Sequence, residues 1–144
     1  MPFEPSKKDL QVNYSVDLRE EITPVVVNLP AGNNTISRVI SISNKACVDS
    51  IITNTGSAQI EGKIHSNVLI QNTDGTFANL NTTTSFSVPV INAEITTESQ
   101  MLATAKVVNI NSVQASENMV SFTASVATQP ILIVAKCTQI LDSV

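Results

Sequence analysis

The stretch Ile60–Leu80, IEGKIHSNVLIQNTDGTFANL, decides what kind of protein this is. Its first half alternates strictly. Ile60, Gly62, Ile64, Ser66, Val68 and Ile70 fall on one side of an extended chain, and Glu61, Lys63, His65, Asn67 and Gln71 fall on the other. Successive side chains of a strand point to opposite faces, so a period of two marks a strand with one dry and one wet face. Asn72-Thr73-Asp74-Gly75 then supplies turn chemistry and the β-type pattern resumes, which is the signature of a hairpin. Strands that are dry on one face and wet on the other belong to antiparallel sheets.

Working outward, the same grammar fills the chain. Val12–Leu18, Pro24–Leu29, Ile36–Ile42, Val48–Thr53, Ala58–Gln71, Thr76–Thr84, Ser87–Ile95, Met101–Val113, Met119–Ala127 and Ile131–Leu141 all read as β-type runs. Between them stand Pro30-Ala-Gly-Asn-Asn34, Asn54-Thr-Gly56 and Ser116-Glu-Asn118, each rich in turn residues. In Met119–Ala127, Val120, Phe122, Ala124 and Val126 take the inner face while Ser121, Thr123 and Ser125 take the outer one. The one run where a helical turn competes is Ile36–Ile42, which Thr35 could cap. The expected fold is all-β, an antiparallel sandwich or partly open barrel of about 8–10 short strands. Residues 23–144 form its single domain, and 1–22 an N-terminal arm holding eight of the twenty charges.

Composition narrows the function classes. Charged residues are 14% of the chain, where a soluble protein carries roughly 25%. Ser, Thr and Asn supply the polarity instead, so copies repel one another weakly. A net charge of −4 with scattered Lys and Arg lacks the footprint of nucleic-acid binding. The apolar run Ile131–Ala135 is far shorter than a membrane span, and Met1–Asp9 has no apolar core of a secretory signal. No nucleic-acid or membrane partner is therefore expected.

No catalytic constellation emerges from the motifs. His65 is the only histidine, and its strand neighbours Lys63 and Asn67 offer neither a nucleophile nor an orienting carboxylate, so it reads as a solvated surface residue. The carboxylates Glu20, Glu21, Glu94 and Glu98 read as solvated loop faces. Dinucleotide fingerprint, phosphate loop, nucleophile elbow and calcium loop are all absent, and no cofactor or metal is expected. Phe77, Phe86 and Phe122 are expected in the core. Cys47 and Cys137, 90 residues apart, fit two buried thiols or a disulfide within or between chains.

Two segments point to association. Val12, Tyr14, Val16 and Leu18 alternate as a donor strand added to a neighbour's sheet would, or as an ordinary first strand of this domain. In Ile131–Leu141 both faces begin apolar, with Ile131, Ile133 and Ala135 on one and Leu132 and Val134 on the other. Leu132 and Val134 would then meet either a covering layer or another subunit.

From Val25 onward, the order of features resembles the SPOCS domain of proteins in spore-coat and spore-envelope assembly of endospore-forming bacteria. The resemblance lies in VVVNLP (25–30), ISRVI (36–40), AQIEGKIHSNVLIQNTDG (58–75), TTSFSVPV (83–90), LATAKVVNINSVQ (102–114) and VSFTASVATQPILIVA (120–135). Ile70-Gln71 departs from it where a tyrosine often closes the central strand, and Ser85 replaces a proline before Phe86. The resemblance implies a stand-alone structural, protein-binding member without catalytic residues. It would be assembled in the mother-cell cytoplasm without a signal peptide and reside at the spore surface, in coat, exosporium or appendage. Cys47 and Cys137 would be reduced during assembly and free to oxidise afterwards. The expected function is a self-assembling subunit of a spore surface layer or fibre, partnered by copies of itself and by other coat proteins. The alternative is an adaptor that recruits one morphogenetic partner.

Overall fold

The computed structural model describes the backbone of residues 7–141 and the side chains of residues 14–134. Its elements are seven strands: β1 (Lys7–Asp17), β2 (Glu21–Pro30), β3 (Ile36–Asn54), β4 (Ser57–Asn72), β5 (Phe77–Ile91), β6 (Gln100–Ala115) and β7 (Met119–Leu141). They form two packed antiparallel sheets, an open β-sandwich and not a closed barrel. The strands are fewer and longer than the turn residues suggest. Runs read as separate at Ile36–Ile42 and Val48–Thr53 are one strand, as are the two runs on either side of Thr128-Gln129-Pro130. Thr35 caps no helix; Ile36 begins β3.

One sheet is the meander β3-β4-β5, with the opening hairpin at its centre. Thr55-Gly56 closes the β3–β4 turn, with Gly56 at φ 78°, and Gly75 in the β4–β5 turn has φ 87°. Both positions lie in the left-handed region where only glycine is unstrained. In the other sheet β7 is central. β6 lies along one edge of it, and β2 followed by β1 lies along the other. β1 and β2 run in the same direction, as one long strand with a single interruption. Leu18-Arg19-Glu20, between the pairs Asp17↔Ile131 and Glu21↔Thr128, face only Gln129 and Pro130, a one-residue bulge. Gln129 Nε2 donates to the Leu18 carbonyl at 2.6 Å, and Leu18 N donates to the Pro130 carbonyl at 3.0 Å, so the interruption keeps its hydrogen bonds.

The core lies between the sheets. Ile60, Ile64, Val68 and Ile70 of β4 and Phe86 and Val88 of β5 meet Val27 and Leu29 of β2 and Val120, Phe122 and Val126 of β7. Burying each such side chain contributes about 1.5–3 kcal/mol. Gly62 is where the interior is tightest, because Phe86 is its cross-strand partner and lays its ring over the glycine. Phe77 departs from expectation: it is 62% exposed, because the register with Gln71 puts it on the wet face just after the turn.

Candidate interaction surfaces

β4 holds His65 at the middle of the outer face of its sheet, between Lys45 of β3 and Thr83 of β5 in the cross-strand register. Thr83 Oγ1 lies 3.1 Å from His65 Nδ1. The next row is Ser43, Asn67 and Asn81. Together these side chains line an open recess of about 300 Å³. Further along the face, Lys63 Nζ reaches Asp49 Oδ2 at 3.6 Å, and Ser87 Oγ donates to Glu61 Oε1 at 3.4 Å. Neither carboxylate lines the recess. The imidazole thus has a hydroxyl and an ammonium as cross-strand neighbours, a set suited to holding an anion rather than to moving a proton along a carboxylate-oriented relay. Among the described residues, no three His, Cys, Asp or Glu side chains gather as metal ligands.

Glu94 and Glu98 lie in the β5–β6 crossover, where the Asn92 side-chain oxygen accepts from Glu94 N and Thr96 Oγ1 from Glu98 N. Both carboxylates are exposed, while Ile95 between them is fully buried and plugs the end of the core. Cys47, half-buried on β3 opposite Lys63, has no disulfide partner among the described residues. The side chain of Cys137, on the far part of β7, lies outside the described residues.

Of the two readings of Leu132 and Val134, the covering layer is the one found in the second sheet. Leu132 is 1% exposed and belongs to the core, and Val134 packs against it. β7 keeps its side-chain parity without a break from Val120 to Val134, so even-numbered residues face inward throughout. Ile131 and Ile133 take the outer face instead. Leu102, paired with Ile131 from β6, is 58% exposed there, and Val26 on β2 is 61% exposed.

The N-terminal strand is paired within its own chain. β1 runs antiparallel to β7 through every pair from Lys7↔Leu141 to Asp17↔Ile131. Tyr14 lies opposite Val134 and is exposed, Val16 lies opposite Leu132 and is half-buried, and Leu18 packs on the core. The Val12 side chain lies outside the described residues.

The feature that sequence reasoning missed is the reach of β7. β6 ends its pairing at Gln100↔Ile133, while β1 follows β7 to Leu141. Residues 134–141 therefore have β1 on one edge and, among the described residues, no strand on the other. At ~3.3 Å per residue this two-stranded ribbon extends about 26 Å beyond the last β6 pair. Its only signal in the sequence was the length of the β-type run from Met119 to Leu141 once Pro130 is read as a residue inside a strand.

Comparison with family models, with curated proteins and with solved structures returned no match.

Proposed function

We propose that this chain is a structural, non-catalytic subunit that assembles with copies of itself, and that the β1/β7 ribbon makes the joint. The observation that carries the reading is the edge of β7 over residues 134–141, which no strand among the described residues pairs. A strand edge displays a row of unpaired N–H and C=O groups, and proteins that remain single cover, shorten or twist such edges. Pairing with a strand of another copy satisfies the row through main-chain hydrogen bonds, while alternate side chains set the register. Tyr14 at the lip of the ribbon adds an aromatic contact, and Ile131, Ile133 and Leu102 add an apolar flank at its base. The low charge of the chain leaves little to oppose the approach of a like surface. Joints of this kind that do not close by rotation propagate into fibres. The setting of a spore surface layer or appendage comes from the SPOCS resemblance of the chain from Val25 onward.

The test compares the full chain with one lacking residues 1–14 and 134–144, which removes both strands of the ribbon and leaves every β6 pair in place. The full chain should show concentration-dependent assembly in sedimentation and fibres or sheets in negative-stain images. The shortened chain should keep its β-type circular dichroism and sediment as a monomer. Equal assembly of the two chains would overturn the ribbon as the joint. A monomer at every concentration that captures one heterologous strand would favour the adaptor.

A further inference from the structure

The recess on the outer face of the β3-β4-β5 sheet has a composition that stability does not account for. Lys45 and His65 are direct cross-strand partners, both exposed, in a chain whose net charge is −4. Like charges directly opposite one another destabilise a strand pair, and this pair becomes one whenever the imidazole is protonated. The carboxylates on this face do not relieve it. Asp49 is engaged by Lys63 and Glu61 by Ser87, and among the described residues no carboxylate lies within 4.0 Å of Lys45. β5, on the other side of His65, holds no charged residue from Phe77 to Ile91.

The remaining lining is a set of neutral donors. Asn67 and Asn81 face each other in the adjacent row beside Ser43, and Thr83 Oγ1 fixes the imidazole through Nδ1. That contact leaves Nε2 as the ring atom open to a ligand. Three kinds of hydrogen-bond donor thus converge on about 300 Å³: an ammonium, an imidazole and two carboxamides. No Phe, Tyr or Trp lines the recess to stack on a base or a sugar.

We propose that this recess is a binding site for a phosphate group, with Lys45 Nζ and His65 Nε2 meeting its charge and the Asn67 and Asn81 amides its remaining oxygens. A tetrahedral phosphate group offers these donors at least three acceptor oxygens where a carboxylate offers two, and the charge-assisted hydrogen bond from Lys45 is the strong one. Because the site is open to solvent, the affinity lies in the millimolar range and weakens with added salt. The inference does not depend on self-assembly and can fail or stand separately from it.

The test is an NMR titration of the isotope-labelled full chain with inorganic phosphate at neutral pH. Parallel titrations use glycerol 3-phosphate and sodium chloride at matched ionic strength. The His65 ring and the Asn67 and Asn81 side-chain amides should shift and saturate with phosphate but not with chloride. Lys45→Gln and His65→Gln should each weaken binding about 2- to 5-fold, and Lys45→Glu should abolish it. Glycerol 3-phosphate binding as tightly as the free ion would assign the site to phosphate groups carried on larger molecules. Its exclusion would confine the site to the ion. Shifts that fail to saturate, that chloride reproduces, or that survive Lys45→Glu would overturn the proposal.

Discussion

Gly62→Ala tests the packing account at its tightest point. Gly62 is buried on β4, with ordinary strand dihedrals, so an alanine meets no backbone penalty there. In an open strand the change would stabilise by about 0.5–1 kcal/mol, because glycine loses more chain entropy on folding. Here an added Cβ would stand 2.5 Å from the Cys47 carbonyl oxygen and 2.8 Å from Phe86 Cε1. The ring could tilt, but the carbonyl belongs to the paired backbone of β3 and has little freedom to retreat. Overpacking of this kind costs ~1–3 kcal/mol, and a backbone obstacle puts Gly62 at the upper end. The net expectation is a loss of about 2 kcal/mol, read as a 4–8 °C fall in melting temperature for a domain of roughly this size. Far-UV circular dichroism during urea and heat denaturation measures it. Phe86→Leu should cost stability alone, yet Gly62→Ala added to it should cost at least about 1 kcal/mol less than in the parent, since the two share one space. A Gly62→Ala protein as stable as the parent, or strict additivity with Phe86→Leu, would refute the reasoning.

Thr128 is fully buried and its Oγ1 has no hydrogen-bond partner among the described residues, so Thr128→Val should raise stability by about 1 kcal/mol, and a fall in melting temperature would contradict this. Ser112, in the irregular register of β6 near its end, has φ 55°, so Ser112→Val should lower stability by ~1–2 kcal/mol in the same melts despite its exposure, and an unchanged melting temperature would count against it. The Asp74 carboxyl is held below the ordinary carboxylate value by hydrogen bonds from the Thr76 hydroxyl and the Thr76 amide. A depressed folded value stabilises the fold above the ordinary value and loses that contribution as the solution is acidified below about pH 4. Thr76→Val should return the Asp74 titration, followed by NMR, toward the ordinary range and flatten the acid limb of stability; an unmoved titration would contradict the assignment.

The sandwich was legible because the alternation on β4 and on the first half of β7 is nearly unbroken, and a two-residue period has no helical reading. The lengths of the strands were not. Thr128-Gln129-Pro130 carries turn-like residues, yet Pro130 sits inside β7, and Gln129 spends its side chain on the Leu18 carbonyl across the bulge. Splitting the run there discarded its parity, and parity alone distinguishes Leu132 from Ile131 when both faces are apolar. With the strand continuous, the inward series Val120, Phe122, Ala124 and Val126 carries Leu132 into the core. Phe77 was misplaced for a related reason: hydrophobicity favours the interior, but the turn at Gly75 fixes the register and the register fixes the face. The His65 row was readable only in part, because the sequence places Lys63 and Asn67 beside it but the pairing brings Lys45 and Thr83.

Hydrogen exchange of the full chain, measured from dilute to concentrated solution, tests the ribbon joint most directly. Amide protection should rise with concentration in residues 134–141 and in β1, while the centre of β4 stays unchanged. Protection of the ribbon that is the same at every concentration would contradict the account.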